Sequence, residues 1–191
     1  MAGMSYNNMI NDYCVGIAYG TGYFVNDEKG SYLVVRNLDK WYVENIAEAT
    51  GYKAYESANN IERDKKKQWV VKARNIHTLP SMSDIQCKKD FCRAYIELHG
   101  TIDVRVTKSM YKPRLRVYGK EKIISFINNI LPAKEKKIQY IKNRVNEKYI
   151  GETCAIYYQS KVEILEILQW IDGQLKNEKV WGKWNDIMKN Y

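Results

Sequence analysis

Residues alternate between two faces through Gln68–Arg74, with Trp69, Val71 and Ala73 on one side and Gln68, Val70, Lys72 and Arg74, polar except for Val70, on the other. That is the period of a β-strand with one covered face. The same period predicts strands near Tyr23–Asn26 and Ser31–Asn37, joined by a turn at Asp27-Glu28-Lys29-Gly30. A short strand is predicted near Lys53–Ser57, and a charged connection at Glu62–Lys67. Helical periods lie between them. One helix is predicted near Asn8–Gly20. A second follows the N-cap residue Asp39, carries Trp41, Val43, Ile46 and Ala47, and ends at Gly51.

Beyond Thr78-Leu79-Pro80-Ser81-Met82-Ser83 the order recurs. Ser83 is placed to cap a helix over Asp84–Leu98, and a hairpin follows from Ile102–Thr107 and Arg114–Tyr118. Pro113 opens its second strand, where a missing N–H is tolerated. A helix at Lys120–Leu131 stops before Pro132. A second hairpin is predicted at Lys137–Lys142 and Thr153–Tyr158. The helix Lys161–Leu175, with stripe Val162, Ile164, Leu165, Leu168 and Ile171, comes next, and Lys179–Met188 with Trp181 and Trp184 closes the series. The pattern is αββαββ twice, with C-terminal helices appended. It sets two repeats at residues 1–80 and 81–191.

The repetition is visible in residues as well as in period. Cys14-Val15-Gly16-Ile17-Ala18-Tyr19-Gly20-Thr21-Gly22 has its partner in Cys92-Arg93-Ala94-Tyr95-Ile96-Glu97-Leu98-His99-Gly100. Each has a small residue third, a terminal Gly and a β-type segment after it. Two similar halves meeting through these helices are expected, as one monomer with an internal pseudo-twofold.

Composition narrows the partners. The chain has 31 Lys and Arg against 22 Asp and Glu, a formal charge of +9, which favours a polyanion. Met1–Met9 lacks a basic head followed by an apolar run, so no signal peptide is expected, and no apolar run is long enough for a membrane span. Cys14, Cys87, Cys92 and Cys154 are scattered, with no CxxC, which suits a reducing cytoplasm. They and His77 and His99 lack zinc-ligand spacing, and neither metal nor cofactor is expected.

The two nine-residue motifs, together with Arg114-Leu115-Arg116-Val117-Tyr118-Gly119-Lys120, then Ile123, Ile124, Phe126 and the pair Leu131-Pro132, resemble the LAGLIDADG homing-endonuclease family in its single-chain, two-repeat form. The resemblance covers most of Asn8–Leu175. It implies an α+β fold with antiparallel saddle sheets that lie in the DNA major groove, and motif helices that each end in an acidic metal ligand. Here the residues before the terminal Gly are Thr21 and His99. A hydroxyl and an imidazole are poor substitutes for the hard anionic oxygens that Mg²⁺ takes. An inactive or drastically altered nuclease is expected. Glu97 matches a family position that is not the metal ligand.

Alternation assigns the outward faces of the saddles. In the second half Ile102, Val104, Val106, Leu115 and Val117 face the helices, leaving Thr101, Asp103, Arg105, Thr107, Arg114, Arg116 and Tyr118 outward. In the first half Tyr32, Val34 and Arg36 join Gln68, Lys72 and Arg74, and Lys137 and Gln139 extend the second set. One solvated sheet face always alternates this way, so polarity alone decides nothing. Arg and Gln are, however, the residues that pair with guanine and adenine edges. The runs Arg63–Lys67 and Lys134–Lys137 are either solvated loops or phosphate clamps. Most of the 16 Tyr, and the pair Trp181/Trp184, are read as packing, and His99 as a phosphate contact or a polar cap. The leading expectation is a double-stranded DNA-binding protein without nuclease chemistry, such as a regulator from a phage or mobile element. The alternatives are a phage-encoded inhibitor that binds a nucleic-acid enzyme or defence protein, and an active endonuclease with unusual ligands.

Overall fold

The computed structural model describes residues 10–57, 67–107, 110–141 and 153–190, apart from the side chains of Thr107 and Met110. The charged residues Arg63–Lys66 and the end of the second hairpin's first strand, at Lys142, fall outside the described residues. The chain divides into two compact units, Met1–Cys87 and Lys88–Tyr191.

The first unit runs α1 (Asp12–Thr21), β1 (Gly22–Asp27), β2 (Gly30–Asn37), α2 (Lys40–Thr50), β3 (Tyr55–Glu56) and β4 (Trp69–Ala73). Its antiparallel sheet has the order β1-β2-β4-β3. Asn11 caps α1 by accepting from the Cys14 N–H at 2.9 Å. Asp39 caps α2 by accepting from Trp41 at 3.1 Å, and Gly51 ends that helix. Leu33, Val35, Val71 and Ala73 are fully buried on the sheet face that meets Val15 and Ile17 of α1 and Val43 and Ile46 of α2. The connector stays with this unit: the Tyr19 hydroxyl donates to Pro80 O at 2.7 Å.

The second unit repeats the order: α3 (Lys88–His99), β5 (Gly100–Thr107), β6 (Met110–Lys120), α4 (Glu121–Ile130), β7 (Gln139–Tyr140) and β8 (Thr153–Tyr158). The sheet order β5-β6-β8-β7 matches the first. Two helices are added, α5 (Lys161–Ile171) and α6 (Glu178–Asn190). Leu115, Val117, Cys154, Ile156 and Tyr158 form the helix-facing layer, under Ile123, Ile124 and Ile127 of α4 and Ile164 and Ile167 of α5. Each such Ile contributes about 1.5–3 kcal/mol on burial.

Both motif glycines open the first strand of their sheet, with Gly22 opposite Val35 and Gly100 opposite Val117. A side chain at Gly22 would come within 2.6 Å of Ala18 O, and one at Gly100 would strike Ile96 O. The helix-to-strand turn has no room for a Cβ, which explains why both motifs end in Gly.

Several elements differ from the periodic reading. Ser83 caps nothing; Ser81 caps a 3₁₀ turn (Met82–Asp84) with the Asp84 carboxylate, and α3 begins four residues later than read. Helix α5 stops at Ile171, because Arg93 draws the Ile171 and Leu175 carbonyls onto one guanidinium at 2.8 and 2.7 Å. Along the same helix Val162 and Leu165 are exposed, and Ile167 is buried with Ile164, Leu168 and Ile171. Val106 is exposed at the far end of β5 rather than facing the helices. Strand β6 begins at Met110, so Pro113 lies inside it, in the part that has β5 but not β8 as a neighbour.

Candidate nucleic-acid interface

Register settles which side chains share each outward sheet face. In the first sheet Tyr23, Val34 and Lys72 are directly opposed, and Arg36 pairs with Val70 and Val70 with Tyr55. This face is less polar than alternation implied. Tyr32, Val34 and Val70 form a buried apolar cluster with Val25 packed against it. Lys72 is exposed beside it, while Arg36 and Gln68 are half-buried. Arg36 Nε and Gln68 Oε1 are buried without a hydrogen-bond partner among the described residues. Arg74 lies just past β4, with its guanidinium 4.3 Å from the Tyr32 ring centroid. It is also paired with Asp27 at 2.9 Å. That bond holds the Asp27 carboxyl below the usual carboxylate range.

In the second sheet Thr101, Arg116 and Tyr157 form one cross-strand row, Asp103 and Arg114 the next, and Tyr118, Ala155 and Gln139 a third. Arg105 is exposed, 3.4 Å from Gln159 Oε1. Asp103 organises this face. It accepts from Arg114 Nε at 3.0 Å and Nη2 at 2.9 Å, and forms an ion pair with Arg116 Nη2 at 2.6 Å. The Arg114 hydrogen bonds lower the Asp103 carboxyl below its ordinary range, outweighing the burial that raises it, and the charges of Arg116 and Arg114 add to the lowering. Gln139 is exposed on β7. Lys137 is exposed but precedes β7 instead of lying in it. Thr107 ends β5, and its side chain lies outside the described residues.

The motif ends are built for packing. Thr21, the last residue of α1, donates its hydroxyl to Arg36 O, closing the helix onto β2. His99, the last residue of α3, packs its ring against Tyr95 with centroids 4.7 Å apart and the planes tilted by 33°. Glu97 is buried and accepts from Trp181 Nε1 at 2.6 Å and Asn177 N at 3.3 Å, so it fastens the start of α6. Trp181 and Trp184 are themselves buried, 5.7 Å apart. The donor set does not fit the divalent metal that LAGLIDADG nucleases imply. One motif end carries an engaged hydroxyl and the other an imidazole packed against Tyr95, and Glu97, Asp103 and Asp27 are committed to Trp, Asn and Arg donors. Among the described residues no three His, Cys, Asp or Glu converge on a possible metal position.

Sequence reading named the arginines but not their tether. Asp103 lies directly opposite Arg114 once β6 is known to begin at Met110, and a strand begun at Arg114 hid that pairing. Tyr157 and the Asp27–Arg74 pair were missed because both depend on cross-strand register.

No family model and no curated protein matches the sequence. Solved structures match its fold. The LAGLIDADG homing endonuclease I-LtrWI, bound to target DNA, aligns with a TM-score of 0.61 at 15% identity over 95% of this chain and 91% of that one. I-GzeII, a LAGLIDADG homing endonuclease in complex with its DNA target, gives 0.62 at 10% identity over 94% and 90%. Full-length DUF199/WhiA from Thermatoga maritima gives 0.57 at 12% identity, covering 100% of this chain and 63% of that one. With the matching strand orders and the helix-to-strand glycines, these likenesses establish a LAGLIDADG-like fold, carried as two tandem repeats on one chain.

Proposed function

We propose that this protein binds double-stranded DNA along the outward faces of its two sheets and does not cut it. The observation that carries the reading is the placement of Arg105, Arg114 and Arg116 on one β-sheet face, oriented by neighbouring side chains, on a fold whose solved relatives I-LtrWI and I-GzeII hold target DNA. A two-stranded β-ribbon fits the major groove, and Arg is its commonest base reader. Arg36, Lys72 and Arg74 supply the corresponding positive rim on the first sheet. The net charge of +9 adds attraction that carries no sequence information.

Absence of cleavage follows from the motif ends. Phosphodiester hydrolysis by divalent metals needs anionic oxygen ligands at the scissile phosphate, and Thr21 and His99 supply none. Binding without cutting is the behaviour of a regulator, and we assign this role to the chain. Gel-shift and nicking assays on randomised duplex at low salt, with Mg²⁺ and then Mn²⁺, test the reading. A retained complex with intact strands is the expected result. Robust cleavage by the pure protein would overturn the reading of Thr21 and His99. A protein captured from extract, with no duplex affinity beyond that of any basic protein, would put the inhibitor reading first.

A further inference from the structure

The unusual feature of the second sheet is that its arginines are not free. A face evolved only to clamp phosphates would gain from every unpaired cation, yet a carboxylate sits between two guanidinium groups. Asp103 takes both its oxygens to Arg114 in a two-bond fork, and one of them also to Arg116. Arg116 is held a second way, with its guanidinium 5.7 Å from the Tyr118 ring centroid. Its Nε is buried without a hydrogen-bond partner among the described residues. Three charges thus act as one oriented unit with a net charge near +1.

Such a unit treats two ligands differently. A phosphate brings negative charge against the Asp103 carboxylate and competes with it for the same guanidinium edges. A base edge is neutral. The N7 and O6 acceptors of guanine take the arginine N–H groups that Asp103 leaves unused, and the amino group of the paired cytosine is a donor that a carboxylate accepts. Arginine and aspartate side by side therefore match the two halves of one G·C pair.

We infer that Asp103 is a specificity-determining residue, which turns Arg114 and Arg116 from phosphate clamps into a rigid reader of a G·C pair under the second sheet. The inference rests on the DNA-binding reading and deepens it. Asp103 costs general affinity and supplies discrimination: without it the two arginines are free to follow the backbone of any sequence.

The experiment is selection from a randomised duplex pool by the wild-type protein, by Asp103→Asn and by Arg114→Lys, followed by salt titrations of the enriched sequence and of the unselected pool. The wild type enriches a G·C pair at a fixed position on one side of its site. Asp103→Asn binds the unselected pool more tightly, with a salt slope steeper by about 0.9 for each cation released to a phosphate. It also loses its preference for the enriched sequence by on the order of tenfold, the scale of one bidentate base contact. Arg114→Lys keeps the charge but not the fork, and loses the same preference, which separates the geometry of the fork from its charge. An Asp103→Asn protein that enriches the same motif with the same salt slope overturns the inference and leaves DNA binding standing. A wild type that binds the pool no better than a basic protein of equal charge overturns both.

Discussion

Glu97 decides whether the end of α3 is a metal site or a joint. It is buried in the last turn of the helix, and its carboxylate accepts from the Trp181 indole at 2.6 Å and the Asn177 amide at 3.3 Å. Asn177 in turn accepts from the Lys179 amide at 3.2 Å at the start of α6. Glu97→Ala removes a charged acceptor and strands two buried donors. Hydrogen bonds to charged groups and unsatisfied buried donors each cost about 1–3 kcal/mol, so a loss of about 3 kcal/mol is expected. In a chain of this size each kcal/mol moves the melting temperature by roughly 2–4 °C, which places the variant some 6–12 °C below wild type. Glu97→Gln keeps one acceptor oxygen and should lose about a third of that. Thermal unfolding followed by circular dichroism, with and without Mg²⁺, reads both effects. A Glu97→Ala protein that melts with the wild type, and whose wild-type parent gains stability from Mg²⁺, would refute the joint and restore a metal site.

Other consequences follow from the same packing. The Asp103 carboxyl, lowered chiefly by the Arg114 hydrogen bonds, should titrate below the usual aspartate range by carbon-detected NMR and move back up in Arg114→Ala. Because its folded pKa lies below the unfolded one, the stabilisation is complete above about pH 3.9 and is lost as pH falls through the folded value; an unchanged midpoint in the variant would contradict the pairing. Of the four thiols only Cys87 is exposed, and burial pushes Cys14 up to about 12. A thiol reagent should therefore label the native chain rapidly at Cys87 alone, and fast reaction at Cys92 or Cys154 would be the contrary result. Gly119 has no space for a methyl group, because a Cβ there would overlap the Tyr95 hydroxyl. Gly119→Ala should cost on the order of 1–3 kcal/mol of stability by overpacking, checked by chemical denaturation.

Periodicity carried the fold a long way. The alternation of Gln68–Arg74, the Asp39 cap and Gly51 terminator of α2, and the two motif glycines all act within a few residues of chain, so they are legible without tertiary context. What escaped reading depends on distant partners. Arg93 ends α5 from a helix some eighty residues away in sequence, and no local signal announces that. Val162 and Leu165 fit a helical stripe but stay exposed, because α5 turns Ile164, Ile167 and Ile171 inward instead. The outward faces follow the same rule. Alternation assigned their membership, whereas the tethers of Arg114 and Arg116 to Asp103, and of Arg74 to Asp27, are cross-strand facts set by register. Tyr32, Val34 and Val70 show a further limit, since an outward face can still bury an apolar cluster.

The central claim is that duplex DNA lies on the outward sheet faces and leaves intact, and one titration tests it most directly: fluorescence anisotropy of a labelled duplex with wild type and with the Arg105/Arg114/Arg116 triple alanine variant over a range of salt. The account predicts that wild-type log affinity falls linearly with log salt at about −0.9 per phosphate neutralised. It also predicts that the triple variant, still folded by circular dichroism, binds more weakly with a shallower slope, and that the recovered duplex is uncut in Mg²⁺. Equal affinity and slope for the two proteins would contradict the account.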